Sequence, residues 1–204
     1  GDYYDYLELP GSHLGIIVAD AADHGVGSAL HMATARAFMR FAAHHYNDPA
    51  TLMEAVNHDL ARDNAASGRF ITAFFLEVDT LGRRLHWSRA GHEPALLFDP
   101  ATIQFSELNG KGIALGVDET ARYESCSKDG WSAGSIILIG TDGIHETRNG
   151  NGDYFGHERL KEIIAKNHHR DAEALKRIIL ETVDAFRGGF PMEDDLTLVA
   201  VKLN

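Results

Sequence analysis

Cysteine is almost absent from this 204-residue chain, Cys126 being the single one. No internal disulfide can form, and a reducing, cytoplasmic setting is expected. No run of about eighteen apolar residues occurs, so no membrane segment is expected. No basic-then-apolar stretch of the secretory kind opens the chain. Basic residues are outnumbered, 19 Lys and Arg against 30 Asp and Glu, for a formal charge of −11. Nucleic acid is therefore not expected as the main partner, because phosphate backbones need clustered Lys and Arg. Paired Cys or His ligand spacings are lacking, which argues against a zinc site. Low-complexity tracts, internal repeats and long linkers are missing too.

What is present is an ordinary globular mix, 44% apolar and 24% charged residues, enough for one domain over 1–204 with a full core. Gly1 and Asp2 already lie in the first strand candidate, the look of a domain from the C-terminal part of a longer regulatory protein. Asp2–Leu9, a Pro10-Gly11 turn and His13–Ala19 predict a hairpin. Val26, Ala29, Leu30, Ala33, Ala37, Phe38 and Phe41 recur at helical spacing. Asp48-Pro49 is an N-cap followed by proline at the first helical position, opening a helix to about Ala66. Strands are predicted at Arg69–Asp79, Arg83–Ala90, Ala95–Phe98, Ile103–Leu108, Ile113–Leu115 and Ser135–Thr141. Helices are predicted at His157–Lys166 and Ala172–Phe186, the latter capped by Asp171. Leu196–Leu203 is apolar on both faces and reads as a central strand. This order fits an α+β layered sandwich better than a β-α alternation.

The informative acids sit at strand ends. Asp20 closes Leu14–Ala19, Asp142 closes Ile136–Thr141 and precedes Gly143, and Asp194-Asp195 precede the last strand. Asp2 and Asp5 lie three apart in the first. Any one of these is ordinarily a turn or cap residue. Jointly they place carboxylates beside small residues and glycine, where a backbone can approach an ion. Hard cations such as Mg²⁺ and Mn²⁺ take such oxygen ligands.

In order along the chain stand Gly1-Asp2-Tyr3-Tyr4-Asp5, Asp20-Ala21-Ala22-Asp23-His24-Gly25-Val26-Gly27, Phe70-Ile71-Thr72-Ala73-Phe74-Phe75, Ala90-Gly91-His92-Glu93-Pro94, Thr141-Asp142-Gly143, Phe155-Gly156 and Asp194-Asp195-Leu196-Thr197-Leu198. The set resembles the metal-dependent protein phosphatase (PPM, or protein phosphatase 2C) family. The nearest branch is the bacterial one typified by sporulation and general-stress (SpoIIE-like) phosphatases. The resemblance implies an α-β-β-α four-layer sandwich, two antiparallel sheets flanked by helix pairs, with Mn²⁺ or Mg²⁺, two ions or three. By position, Asp20 would bridge two metals and the Ala21 carbonyl would bind one of them. Asp142 and Asp194 would complete the other shell, and Asp2 would hold metal-bound water. Asp5 and Asp195 read as supporting or structural. The branch usually has glycine where this chain has Asp23, a residue type that tolerates positive φ better than most.

The implied activity is hydrolysis of phosphoserine or phosphothreonine on a partner protein by metal-activated water. In the resembling branch the usual substrate is a phosphorylated anti-anti-sigma factor in a partner-switching circuit, under an upstream sensor or receiver domain. A homodimer is compatible with this. Cys126 lacks the arginine-rich loop of a catalytic cysteine, and none of the histidines is assigned to chemistry. His92 reads as loop architecture, and His44-His45 and His168-His169 as helix-end residues. The competing readings are a catalytically weak phosphatase-like binding module, which should have lost its metal carboxylates, and a two-metal phosphodiesterase, which should show a basic groove.

Overall fold

A computed structural model describes residues 1–64 and 68–204. Along the chain run β1 (Tyr3–Leu9), β2 (His13–Ala21), α1 (Val26–Ala43), α2 (Pro49–Asn64), β3 (Ile71–Asp79), β4 (Arg84–Ala90), β5 (Ala95–Asp99), β6 (Gln104–Leu108), β7 (Cys126–Asp129), β8 (Ser135–Gly140), α3 (Gly156–Asn167), α4 (Ala172–Arg187) and β9 (Leu198–Leu203). Among the described residues these make two antiparallel sheets and four helices, an α+β fold. The expected last turn of the second helix, Ala65 and Ala66, lies outside the described residues.

The chain divides into two compact units. The first comprises Gly1–Pro94 and Asn109–Gly130, the second Ala95–Leu108 and Trp131–Asn204. In the first, five strands run in the order β1-β2-β3-β4-β7. Gly11 at φ 79° turns the chain from β1 into β2, whose register sets Tyr3 opposite Ala19. One sheet face, with Tyr3, Leu7, Ile17, Ala19, Ala73 and Phe75, packs on Met32, Ala35 and Met39 of α1 and Leu52, Met53, Val56 and Leu60 of α2. Burying each large side chain is worth about 1.5–3 kcal/mol. Ile16, Val18, Phe74 and Leu76, pointing the other way, are also fully buried. The Asp48 carboxylate accepts from the Thr51 N–H at 2.9 Å, so α2 is capped where the sequence put the cap.

In the second unit the order is β6-β5-β8-β9. Phe98, Ile136 and Leu138 pack with Phe155, Leu160, Ile164, Leu175, Ile179 and Val183, joining the sheet to α3 and α4. Asp171 caps α4 by accepting from the Ala174 N–H at 2.7 Å, and Gly188 at φ 61° closes it.

Four expectations are corrected. Ile113–Leu115 is not a strand: Leu115 makes one isolated bridge to Ile71 within a glycine-broken loop. That loop is held by Asn57, fully buried on α2, which donates to the Asp118 carbonyl at 2.7 Å and accepts from the Gly116 N–H at 2.9 Å. Cys126–Asp129 is a strand the sequence did not signal, since it is mostly exposed and polar and is held by its ladder to β4. The last strand is at an edge, pairing with β8 alone among the described residues; its apolar residues on both faces report partly covered faces, not two neighbours in the sheet. In α1 the apolar set Val26, Leu30, Ala33, Ala37 and Phe41 is exposed, while Ser28, His31, Met32, Ala35 and Met39 face inward. Helical spacing located the helix, but the inner face is the Met32, Ala35 and Met39 stripe, with Ser28 and His31 on it, not the predicted set.

Asn57→Ala removes both side-chain bonds to the loop, leaves the part-buried Asp118 carbonyl and Gly116 N–H without that partner, and empties a fully buried position. A loss of about 2–3 kcal/mol is expected in urea unfolding, whereas a change within error would assign the loop's position to Leu115 instead.

Candidate functional site

In the first unit, β2 carries Asp20, and Asp2 stands one residue before β1, just past the end of the β1–β2 ladder. Tyr3 pairs with Ala19, so the chain preceding Tyr3 runs beside Asp20 and Ala21. Gly1 presses close there: a Cβ on it would stand 2.8 Å from the Ala21 carbonyl oxygen and 3.0 Å from Asp20 Oδ1. Asp20 and Ala21 are inside β2 rather than beyond its end, opposite Thr72 and Ile71. The Thr72 hydroxyl meets His92 Nδ1 at 2.9 Å, and His92 is buried. His92 thus supports the strand facing Asp20, an architectural place. The loop after β2 folds back through a bond from the buried Ser28 hydroxyl to the Ala22 carbonyl at 2.9 Å. Asp23 sits at φ 68° and Gly25 at φ 89° in that loop, so aspartate does adopt the left-handed backbone there.

Asp5 has structural work. Its carboxylate accepts from the Tyr3 hydroxyl at 2.6 Å and from Arg40 at 2.7 Å, tying β1 to α1. Burial, and then this carboxylate, push the Tyr3 phenol well above its usual range. The Cys126 thiol is pushed up by burial and then by Glu124, so thiolate is scarce near neutral pH and the cysteine is a poor nucleophile.

In the second unit, β8 delivers Asp142 and the segment before β9 delivers Asp194. The two run side by side because Thr141 and Thr197 bond reciprocally. The Thr141 N–H donates to the Thr197 carbonyl, and the Thr197 N–H donates to the Thr141 hydroxyl, both at 3.1 Å. Gly143 makes the closest approach, since a Cβ on it would lie 2.1 Å from the Asp195 carbonyl oxygen. Asp142 is half-buried and Asp194 and Asp195 are exposed; Asp194 Oδ1 accepts from the Asp195 N–H at 2.8 Å. The donors gathered in the two units are carboxylates and a backbone carbonyl, the hard oxygens that Mg²⁺ and Mn²⁺ take. The residues present fit such ions.

A model of the family described as stage II sporulation protein E (SpoIIE) matches residues 10–204. The chain belongs to the SpoIIE family. It is similar over 99% of its length, at 24% identity, to phosphoserine phosphatase RsbU of Bacillus subtilis strain 168, covering 59% of that protein. In structure it is similar to the SiaA-PP2C domain of Pseudomonas aeruginosa, with a TM-score of 0.87, 24% identity, and coverage of 100% of this chain and 80% of that one. It is also similar to RsbX crystallised in complex with magnesium, with a TM-score of 0.72, 16% identity, and coverage of 100% and 87%. The fold is thus that of PP2C-type serine phosphatase domains. The chain spans 36–59% of the length of the curated relatives it matches. No helix among the described residues is long and apolar enough to cross a membrane.

Sequence reasoning passed over two features of the second unit. His145 and His157 stack with ring centroids 4.2 Å apart, His145 lying three residues past Asp142. The loop from Thr147 to Phe155 forms a cleft wall beside Asp194. The only signal for the first was proximity to Thr141-Asp142-Gly143; the second reads as a polar Asn/Gly loop.

Proposed function

We propose that this chain hydrolyses phosphoserine or phosphothreonine on a partner protein, with Mn²⁺ or Mg²⁺ held by Asp2, Asp20 and the Ala21 carbonyl in the first unit and by Asp142 and Asp194 in the second. The observation that carries this reading is the close backbone approach at both donor groups. Gly1 leaves no room beside Ala21 O, and Gly143 leaves none beside Asp195 O. Family membership and the magnesium in RsbX support it. Bound divalent cations lower the pKa of a water and offset charge on the phosphoryl oxygens. The chain's own part is to fix the carboxylates: Thr141 and Thr197 lock one pair of strand ends, and the β1–β2 ladder locks the other. A phosphorylated anti-anti-sigma factor is the proposed substrate, in a cytoplasmic partner-switching circuit governed by an upstream sensor or receiver domain.

The test is release of phosphate from a phosphoserine protein and from p-nitrophenyl phosphate, with Mn²⁺, with Mg²⁺ and with chelator. Turnover that chelator abolishes and Mn²⁺ restores is expected. No turnover with any metal would replace this reading by the binding module. Metal should also stabilise the fold, because it relieves repulsion among the carboxylates. At a hundredfold excess over Kd the gain is about 2.7 kcal/mol, roughly 5–10 °C in Tm for a chain of this size. A Tm indifferent to millimolar Mn²⁺ would count against the ligand set.

A further inference from the structure

Two joined clefts in the second unit adjoin the proposed metal ligand Asp194 and extend away from it. The first, of about 130 Å³, opens at Gly143 and Asp194 and passes between Arg148 and Arg187. The second, of about 300 Å³, lies between α4 and the segment Met192–Leu196, with Leu180, Val183 and Leu196 in its lining. Thr147, Arg187 and Met192 line both, so the two form one groove that begins beside a proposed metal ligand and ends in an apolar recess.

The wall is built in advance. Arg148 and Tyr154 form a bridge, Asn149 Oδ1 accepts from the Asn151 and Asp153 N–H groups at 3.0 Å each, and the Phe155 N–H donates to the Thr147 carbonyl at 2.9 Å. Both guanidiniums already have partners. Arg148 donates to the Tyr154 hydroxyl and lies 4.7 Å over that ring, and Arg187 donates to the Phe190 carbonyl at 2.8 Å and pairs with Asp184. Neither cation is poised for a second phosphate. The groove therefore offers a rigid polar entrance and an aliphatic end, with Met192 59% exposed at its lip.

We propose that this groove seats the polypeptide flanking the substrate phosphoserine, with one aliphatic side chain of that segment in the recess of Leu180, Val183, Met192 and Leu196. The proposal rests on the phosphatase reading above. Its ground is continuity: a phosphoserine reaching Asp142 and Asp194 lies at the groove's mouth, and its neighbours in the chain pass along it. Because the wall is already ordered, little further ordering opposes binding.

The test uses the Mn²⁺-loaded protein and a set of phosphoserine peptides with leucine, alanine or aspartate scanned through the four positions on each side. Leucine at one position should raise kcat/KM about tenfold over alanine, the usual discrimination of a small apolar pocket. In Leu180→Ser and in Met192→Asp, each checked for an unchanged melt, that ratio should fall to near one. A photo-reactive leucine at the preferred position should crosslink to α4 or Met192, a readout independent of turnover. Equal rates for leucine and alanine peptides, or a preference that survives both variants, would overturn the proposal while leaving the phosphatase reading intact. No turnover even of p-nitrophenyl phosphate would overturn both.

Discussion

Asp142→Asn is expected to lower Mn²⁺-dependent phosphate release by roughly 10³-fold or more, because the several kcal/mol that a divalent cation contributes to the transition state depend on its shell. Asparagine keeps the shape and one oxygen but removes the charge. The backbone at this place does not rely on the carboxylate. Thr141 is buried and bonded to Thr197, and the Asp142 carbonyl accepts from the Glu146 N–H at 2.9 Å. The variant should therefore fold. Without metal it should melt no lower than the wild type, since one of the neighbouring charges at Asp142, Asp194 and Asp195 is gone. The gain in Tm on adding Mn²⁺ should shrink in the same variant. Retained turnover with a retained Mn²⁺ shift would remove Asp142 from the ligand set, and an apo melt several degrees lower would mean that the carboxylate is structural.

Much of the fold was legible because it is locally encoded. Asp48 and Asp171 announced two helix starts, and both side chains accept the expected backbone N–H. The apolar runs of β2, β3 and β8 announced buried strands. What was not legible depends on partners distant in sequence. The polar strand Cys126–Asp129 exists through its ladder to β4, and no pattern in its own four residues shows that. Ile113–Leu115 looked like a short strand because it is apolar, yet Leu115 makes one isolated bridge and a buried asparagine from α2 helps hold its loop. The exposed stripe of α1 shows the same limit: periodicity marks a helix but not which face the sheet will take.

The candidate site divides similarly. The acids stood out because each ends or enters an apolar strand. The resemblance alone set Asp5 apart from Asp2 in the sequence, and what Asp5 does instead, accepting from Arg40 and the Tyr3 hydroxyl, depends on a helix 35 residues away. The groove beside Asp194 joins the loop around Arg148, helix α4 and the segment before β9, residues scattered over some fifty positions of which none is unusual alone.

Gly143→Ala tests the feature on which the second donor group depends. Gly143 is not in the left-handed region, so backbone strain is not the issue; space is. An added Cβ would lie 2.1 Å from the Asp195 carbonyl oxygen and 3.1 Å from its carbonyl carbon, both backbone atoms. No rotamer change relieves that, so the segment before β9 must move away from Asp142. Overpacking of this kind costs about 1–3 kcal/mol. The displacement should also weaken Mn²⁺ binding by roughly 10–100-fold, the range seen when a ligand's support is lost. Gly150→Ala is the control: it too is outside the left-handed region and nothing lies within 4 Å of its added Cβ, so a change of about 0.5 kcal/mol or less is expected. Urea unfolding and Mn²⁺ titration of the melt separate the two effects. If Gly143→Ala is destabilised but binds Mn²⁺ as tightly as the control, the close approach packs β8 against the last strand without placing Asp142 and Asp194. If both quantities match the control, the strand ends are not in contact through Gly143 and the proposed second donor group loses its support.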